Sequence, residues 1–360
     1  MTDDAGPLLA GPLLAGHGLV RRYSVGAARG RAKSALTAVD DVTIEVAPGE
    51  TVGVVGESGS GKSTLARLLL RLEPPTHGRV EFEGTDVTDL RGAELRRLRR
   101  RLRAVFQDVK GALNPKLTVA QLLGEQMRLH WDLGRSDALE RSAELLDTVG
   151  LGAPVLQRYP YELSGGQAQR VGIAMALSAD PAVVVLDEPV SSLDVSTQAQ
   201  IINLLERIQR DTGVSYLVIA HDLYVVHHVS HRIVVMYLGA VVEQGPADRV
   251  LDDPGHPYTR ALLAAIPDPR RPPSEYVLPG EVPSPLDIPS GCRFHTRCPE
   301  VMDMCRTVVP RAWPVPGGGT ATCHLLDPDV SSADPAPPVP VTSPSRDRRS
   351  QPEREDPERP

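Results

Sequence analysis

The sequence predicts an α/β fold, on three observations. Three short apolar runs, 52–55, 182–186 and 216–220, are nearly continuous, as strands covered on both faces of a parallel sheet must be. Helix-period patterns separate them. A glycine-rich turn ending in lysine and serine joins the first run to the helix after it.

From the N-terminus, Gly-Pro-Leu-Leu-Ala occurs twice in tandem, at 6–10 and 11–15. It is too short for a repeat architecture and reads as a flexible leader over 1–15. Val42, Ile44 and Val46 alternate with polar residues, the mark of a half-exposed strand, and Val80 and Phe82 do the same within 78–84. Helical spacing covers 62–71, 118–130, 136–149, 167–178 and 197–210. Strand alternating with helix gives the α/β core. Proline then marks a boundary: of 34 prolines, 11 lie before residue 254 and 23 in the last 107 residues. Regular structure is therefore expected in the first 250 residues, with a loop-rich segment behind it. From 331 to 360 the chain is Pro, Ser, Arg, Glu and Asp with almost no large apolar residue. Such a segment cannot bury enough surface to offset its ordering entropy, so disorder is expected there.

Composition narrows the class. At 360 residues, two domains are the expectation. Hydrophobic residues at 41% and charged residues at 24% describe a globular chain, which excludes a fibrous or wholly disordered one. No run approaches the roughly 18 apolar residues of a membrane-spanning helix. Asp3 and Asp4, without a basic stretch, argue against a secretory signal. A net charge of −7 argues against general nucleic-acid binding. Only four of the 39 basic residues are lysines (Lys33, Lys62, Lys110 and Lys116), so Lys62 inside a glycine loop stands out.

Gly56-Glu57-Ser58-Gly59-Ser60-Gly61-Lys62-Ser63 fits G-x-x-x-x-G-K-[ST] and lies between a buried strand and a helix, the context this motif requires. Glycines let successive N–H groups turn inward around phosphate oxygens, and the helix N-terminus adds partial positive charge. Lys62 is expected to neutralise β- and γ-phosphate charge and Ser63 to ligate Mg²⁺, with Thr64 beside them. The run 182–186 leads into Asp187-Glu188-Pro189. A carboxylate at the end of a buried strand needs a cation or hydrogen bonds. Asp187 is the expected Mg²⁺ partner, and Glu188 the general base or water-orienting group facing the γ-phosphate.

A second nest, Leu163-Ser164-Gly165-Gly166-Gln167, opens the helix that contains Ile173-Ala174-Met175-Ala176-Leu177. A serine cap followed by two glycines at a helix start is a second anion site. With both nests, the sequence over about 16–327 closely resembles the ATP-binding-cassette (ABC) ATPases, whose signature is LSGGQ. The resemblance implies an ABC-type P-loop ATPase core, a mixed sheet with an antiparallel subdomain and a helical subdomain, plus a small loop-rich C-terminal extension. Its expected bounds are leader 1–15, nucleotide-binding domain 16–253 (helical subdomain about 108–180), extension 254–327 and disordered tail 328–360. By the same resemblance Gln107 is the glutamine that senses Mg²⁺ and the membrane partner, and Ser192-Leu193-Asp194 crosses a dimer interface. The resemblance also implies that His221 is the switch histidine on the γ-phosphate and that Tyr23 stacks on adenine. In that family two cassettes face each other, which implies that Ser164, Gly165, Gly166 and Gln167 of one close on ATP held by the other.

One branch is matched more closely, the oligopeptide/dipeptide importer ATPases. The residues that carry it are Glu73-Pro74-Pro75-Thr76, Leu113-Asn114-Pro115, His256-Pro257-Tyr258-Thr259-Arg260-Ala261-Leu262-Leu263 and Ser290-Gly291-Cys292-Arg293-Phe294-His295-Thr296-Arg297-Cys298-Pro299. The resemblance implies a subunit at the cytoplasmic face of the cell membrane, docked on two permeases. It implies a second ABC ATPase, identical or different, beside it and a solute-binding protein outside. Nickel, a glycoside or a peptide antibiotic are alternative cargoes, and a soluble non-transport ABC ATPase is the other reading. The sequence departs from the branch at Val109, expected to loosen the turn after Gln107, at Ala168 and at Ala240. Seven arginines in 91–103 read as a solvated helix face, with permease contact as the main alternative and nucleic-acid contact, which lacks an interleaved aromatic before Phe106, as the lesser one.

All four cysteines lie in C-x5-C-x6-C-x17-C, at Cys292, Cys298, Cys305 and Cys323. Four thiolates suit Zn²⁺ or an iron–sulfur cluster. The C-x2–4-C pairs of structural zinc sites are absent, and the resemblance adds that some related peptide-importer ATPases carry clusters. The expectation therefore leans to [4Fe–4S], with zinc and reduced core cysteines as alternatives.

Overall fold

The structure, a computed structural model, describes residues 11–25, 34–191, 193–265 and 280–330. Residues 1–10 of the expected leader, Ser192 of the expected interface loop and the tail from 331 lie outside the described residues.

The chain opens with two long antiparallel strands, β1 (Leu14–Val25) and β2 (Ser34–Val46), followed by β3 (Thr51–Val55), whose five residues are all buried. Next come α1 (Lys62–Leu69), β4 (His77–Phe82), β5 (Thr85–Asp86), α2 (Gly92–Arg101) and β6 (Leu102–Val105). The short α3 (Val109–Ala112) leads to α4 (Val119–Trp131), α5 (Arg135–Thr148) and α6 (Gly165–Leu177). The main sheet resumes with β7 (Val183–Asp187), α7 (Val195–Thr212), β8 (Ser215–Ala220), α8 (Leu223–Val229), β9 (Arg232–Tyr237) and β10 (Ala240–Pro246). Helices α9 (Ala247–Asp252) and α10 (Pro257–Ala264) and the small strands β11 (Ala312–Pro314) and β12 (Thr320–Thr322) complete the described elements.

Two sheets result. One is antiparallel, in the order β2-β1-β4-β5; the other runs β11-β12-β10-β9-β3-β8-β7-β6. Its five strands from β9 to β6 pair in parallel, while β10, β12 and β11 add antiparallel to one edge. The continuous apolar runs of β3, β7 and β8 follow from cover on both faces: Val52 and Val54 face one buried cluster with α1, whereas Val55 joins the other with α6 and α7. The result is an α/β core with a mixed sheet and helical segments, plus an additional C-terminal region.

The leader is shorter than the sequence suggests. Leu13, Leu14 and Ala15 are buried, and Leu14 pairs with Val46 on one side and Phe82 on the other. The second Gly-Pro-Leu-Leu-Ala copy thus starts the central strand of its sheet, because its leucines find apolar neighbours on both sides. The arginine run is not a uniform solvated face either. Leu98 of α2 is buried, the Arg100 guanidinium lies 4.0 Å from the Trp131 ring centroid, and Arg103 turns inward to Gln126 and His130 at 2.9 and 3.2 Å.

Helices of the middle segment are set by their caps. Thr118 and Gln121 form a reciprocal capping box on α4, and Val119, Leu122, Leu123 and Met127 make its buried stripe. Asp108 caps α3 by accepting the Gly111 N–H at 2.8 Å. Val109 is buried, and a Cβ on Gly172 of α6 would stand 2.6 Å from its methyl. The expected loosening of this turn is therefore corrected: Val109 anchors it, since its branched side chain fills the space that glycine leaves in α6.

Candidate nucleotide-binding site

The phosphate loop spans residues 56–61, between β3 and α1. Its glycines are needed where the chain turns: Gly56 at φ 153 would place a Cβ 2.2 Å from the Met236 carbonyl oxygen, and Gly61 at φ 101 would place one 2.2 Å from that of Ala38. Ser58 and Gly59 form the exposed tip, and Ser60 is buried. Lys62 begins the helix and is 6% exposed; its ammonium donates to the carbonyl oxygens of Gly56 (2.6 Å) and Glu57 (2.9 Å) and lies 3.4 Å from Ser60 Oγ. Burial lowers its pKa, opposed by the carboxylates of Glu188, Asp187 and Glu57. A buried ammonium resting on two carbonyls is poised for an incoming anion.

Ser63 Oγ stands 3.2 Å from Asp187 Oδ1, and Thr64 is half-buried one residue further on. Burial raises the Asp187 pKa, with the Ser63 hydrogen bond opposing it. A hydroxyl and a desolvated carboxylate side by side are hard oxygen donors of the kind Mg²⁺ takes, so these residues fit the ion.

Glu188 follows at the end of β7 with φ 50, its N–H donating to Ile219 O at 2.8 Å. That left-handed turn aims the side chain out of the sheet. Its Oε2 accepts from Gln107 Nε2 at 2.9 Å, and its Oε1 lies 3.6 Å from His221 Nδ1. Gln107, Glu188 and His221, from the ends of three different strands, thus converge on one carboxylate. The hydrogen bond described for the Gln107 side chain goes to Glu188 and not to the Ser63–Asp187 pair.

Ser164 and Gly165 of the second nest are exposed, and Gly166 and Gln167 are half-buried. Ser164 caps α6, accepting the Gln167 N–H at 3.2 Å while Gln167 Oε1 accepts the Ser164 N–H at 3.1 Å. Gly166 sits where a Cβ would be 2.6 Å from the Thr197 methyl carbon, and Gly165 lies against Leu193. Asp194 caps α7; hydrogen bonds from Ser196 and Thr197 hold its carboxyl down to about 2. Among the described residues no hydrogen bond joins Ser164–Gln167 to the phosphate loop of the same chain. Tyr23 is placed on β1 opposite Leu36, its hydroxyl donating to Glu73 at 2.5 Å and the Arg21 guanidinium 4.7 Å from its ring centroid.

Two residues at the loop carry no role in the sequence reading. Arg297 pairs with the Glu57 carboxylate, and the Tyr258 hydroxyl accepts the Glu57 N–H. Both lie in stretches legible as family motifs, but nothing in their spacing points to a loop more than 200 residues away.

The cysteines are all free, with Cys292, Cys305 and Cys323 buried and Cys298 partly so. Burial raises the Cys292 thiol and pushes those of Cys298 and Cys323 up to about 12, and each of the three also feels the charge of another cysteine. Among the described residues no three His, Cys, Asp or Glu side chains are grouped to hold a metal ion.

Residues 39–191 match the ABC transporter family model, and 242–305 match the C-terminal region of oligopeptide/dipeptide transporters. A Sinorhizobium fredii protein named "Probable peptide ABC transporter ATP-binding protein" is 52% identical over 297 residues, 82% of this chain and 84% of its own length. A dimeric ATP-binding cassette solved in a post-hydrolysis state with ADP and Pi superposes with a TM-score of 0.59 at 29% identity, over 65% of this chain and 98% of that one. A cassette of the cbiONQ transporter complex from Clostridium perfringens gives 0.60 at 27%, over 68% and 92%. No helix among the described residues is long and apolar enough to cross a membrane. The chain belongs to the ABC transporter family of ATP-binding, ATP-hydrolysing subunits, in its oligopeptide/dipeptide transporter branch.

Proposed function

We propose that this subunit drives uptake of peptides through two partner permeases, from the cytoplasmic face of the membrane, with a solute-binding protein outside. The observation that carries the catalytic half is the convergence of Gln107 and His221 on Glu188, beside the Ser63–Asp187 pair. Lys62 and the loop N–H groups would hold the β- and γ-phosphates. Ser63 and Asp187 would hold Mg²⁺, which supplies charge neutralisation on the phosphates when bound; Gln107 contributes through its contact with Glu188. Glu188 takes the proton of the attacking water, and Gln107 and His221 orient its carboxylate. The exposed caps of α6 and α7, with Ser164, Gly165, Gly166, Gln167 and Asp194, are suited to meet ATP held by a facing ATPase, identical or related. Tyr23 offers a ring to adenine. Cargo rests on the C-terminal region and on the name of the relative. The test is uptake of labelled di- and oligopeptides by cells lacking the gene. Restoration by the wild-type subunit and not by Glu188→Gln supports the reading; restored uptake of nickel or a glycoside alone would replace the cargo.

For the cysteines we propose an iron–sulfur cluster that staples the extension. Four free cysteines within 292–323, three of them buried in a loop-rich segment and spaced more widely than the C-x2–4-C pairs of structural zinc sites, support this reading. Bound iron would supply the positive charge that favours thiolate at Cys292, Cys298 and Cys323, whose pKa burial raises. An anaerobic preparation assayed for iron and sulfide tests it; one zinc per chain with no iron would end it.

A further inference from the structure

We infer that the C-terminal extension clamps the root of the phosphate loop, with Arg297 and Tyr258 as positioning residues for ATP binding. The inference rests on the nucleotide site described above and adds residues that lie outside its motifs.

Glu57 is held at all three of its polar groups. Arg297 forks onto the carboxylate, Nη1 to Oε2 at 2.7 Å and Nη2 to Oε1 at 3.1 Å. Tyr258 Oη accepts the backbone N–H at 2.9 Å. Lys62 Nζ donates to the backbone carbonyl, also at 2.9 Å. The first two grips come from the extension, and the third is the lysine that meets phosphate. Whatever fixes Glu57 therefore fixes the carbonyl shelf on which the Lys62 ammonium waits.

The grips are themselves rigid. Arg297 is 6% exposed, and the fork of a guanidinium on a carboxylate sets orientation as well as distance. Tyr258 is fully buried, with ring centroids 4.6 Å from Tyr237 and 5.3 Å from Phe294. A second line reaches the other side of the exposed tip. Arg293 donates to the Leu238 carbonyl oxygen and to Asp40, and Gly239, next to Leu238, donates its N–H to Ser60 O at 2.9 Å. Glu57 and Ser60 bracket Ser58 and Gly59, so the extension holds the loop on both flanks of its tip.

A glycine-rich loop loses conformational entropy when it wraps phosphate. Prior ordering by the clamp removes part of that cost, which acts on binding more than on the chemical step. The test is equilibrium binding of ATP to the full chain, with steady-state hydrolysis alongside. Arg297→Gln is expected to raise the Kd about tenfold and Tyr258→Phe about threefold, with kcat falling less than the Kd rises. Arg297→Lys should recover only part, because an ammonium cannot fork. Glu57→Gln combined with Arg297→Gln should bind no worse than the weaker single variant. A Kd within twofold of wild type for both Arg297→Gln and Tyr258→Phe overturns the clamp, as does a double variant whose effects multiply. Absence of ATP binding by the wild-type chain would overturn the nucleotide site and the clamp with it, and is distinguishable from either result.

Discussion

The phosphate loop and the seat of the C-terminal extension handle buried charge in opposite ways. At the loop, Lys62 rests on carbonyl oxygens and Asp187 has only the Ser63 hydroxyl as its described side-chain partner, so a desolvated cation and a desolvated carboxylate are left for a ligand to complete. Where β10 and α9 seat the extension, charges close on one another. Glu243, fully buried, takes the Arg249 guanidinium and the N–H groups of Gly255 and His256. Arg249 also donates to the Gly318 carbonyl oxygen at 3.1 Å. An open set of charges marks a site; a closed set marks a brace.

Four measurements break or sharpen that contrast. Glu188→Gln, which removes the group meant to take a proton from water, should slow phosphate release by about 10²–10⁴-fold while ATP still binds; release at the wild-type rate would remove Glu188 as the base. Glu243→Gln should cost about 3–5 kcal/mol in urea unfolding, because it leaves Arg249 buried beside a neutral group. A loss under about 1 kcal/mol would mean that water already relieves the pair. Tyr23→Ala should weaken ATP binding by about 1–3 kcal/mol if the ring stacks on adenine, read by nucleotide titration; unchanged affinity takes Tyr23 out of the site and leaves it as a partner of Arg21 and Glu73.

The smallest effect concerns pH. Burial lowers His256 from 6.5 to about 3, so between those values the unfolded chain binds a proton that the folded chain refuses. Stability contributed by this site is therefore complete above 6.5 and is lost as pH falls, by about 1 kcal/mol between roughly pH 6 and pH 5. Unfolding midpoints across that range should drop for wild type and drop less for His256→Gln.

Much of the candidate site was legible because its motifs are local. Gly56 to Ser63 needs a strand before it and a helix after it, and both follow from apolar period alone. Asp187 and Glu188 announce themselves as carboxylates at the end of a buried run. The start of β1 was illegible because Leu13 and Leu14 are apolar in a proline-flanked repeat, and only the partner strands reveal that they are covered. Arg103 was lost in a run of identical charges, since neither sequence period nor composition tells which guanidinium turns inward.

Sequence by itself determined the two glycine-rich helix starts, the buried parallel strands and the motifs that carry the family, because each depends on residues within about a dozen positions of one another. Tertiary structure decided what touches Glu57, which carboxylate Gln107 and His221 share, and how the cysteine segment joins the sheet through β12 and β10. Those contacts span tens to hundreds of residues. They are chosen by the packing of whole sheets and helices, which no local pattern encodes.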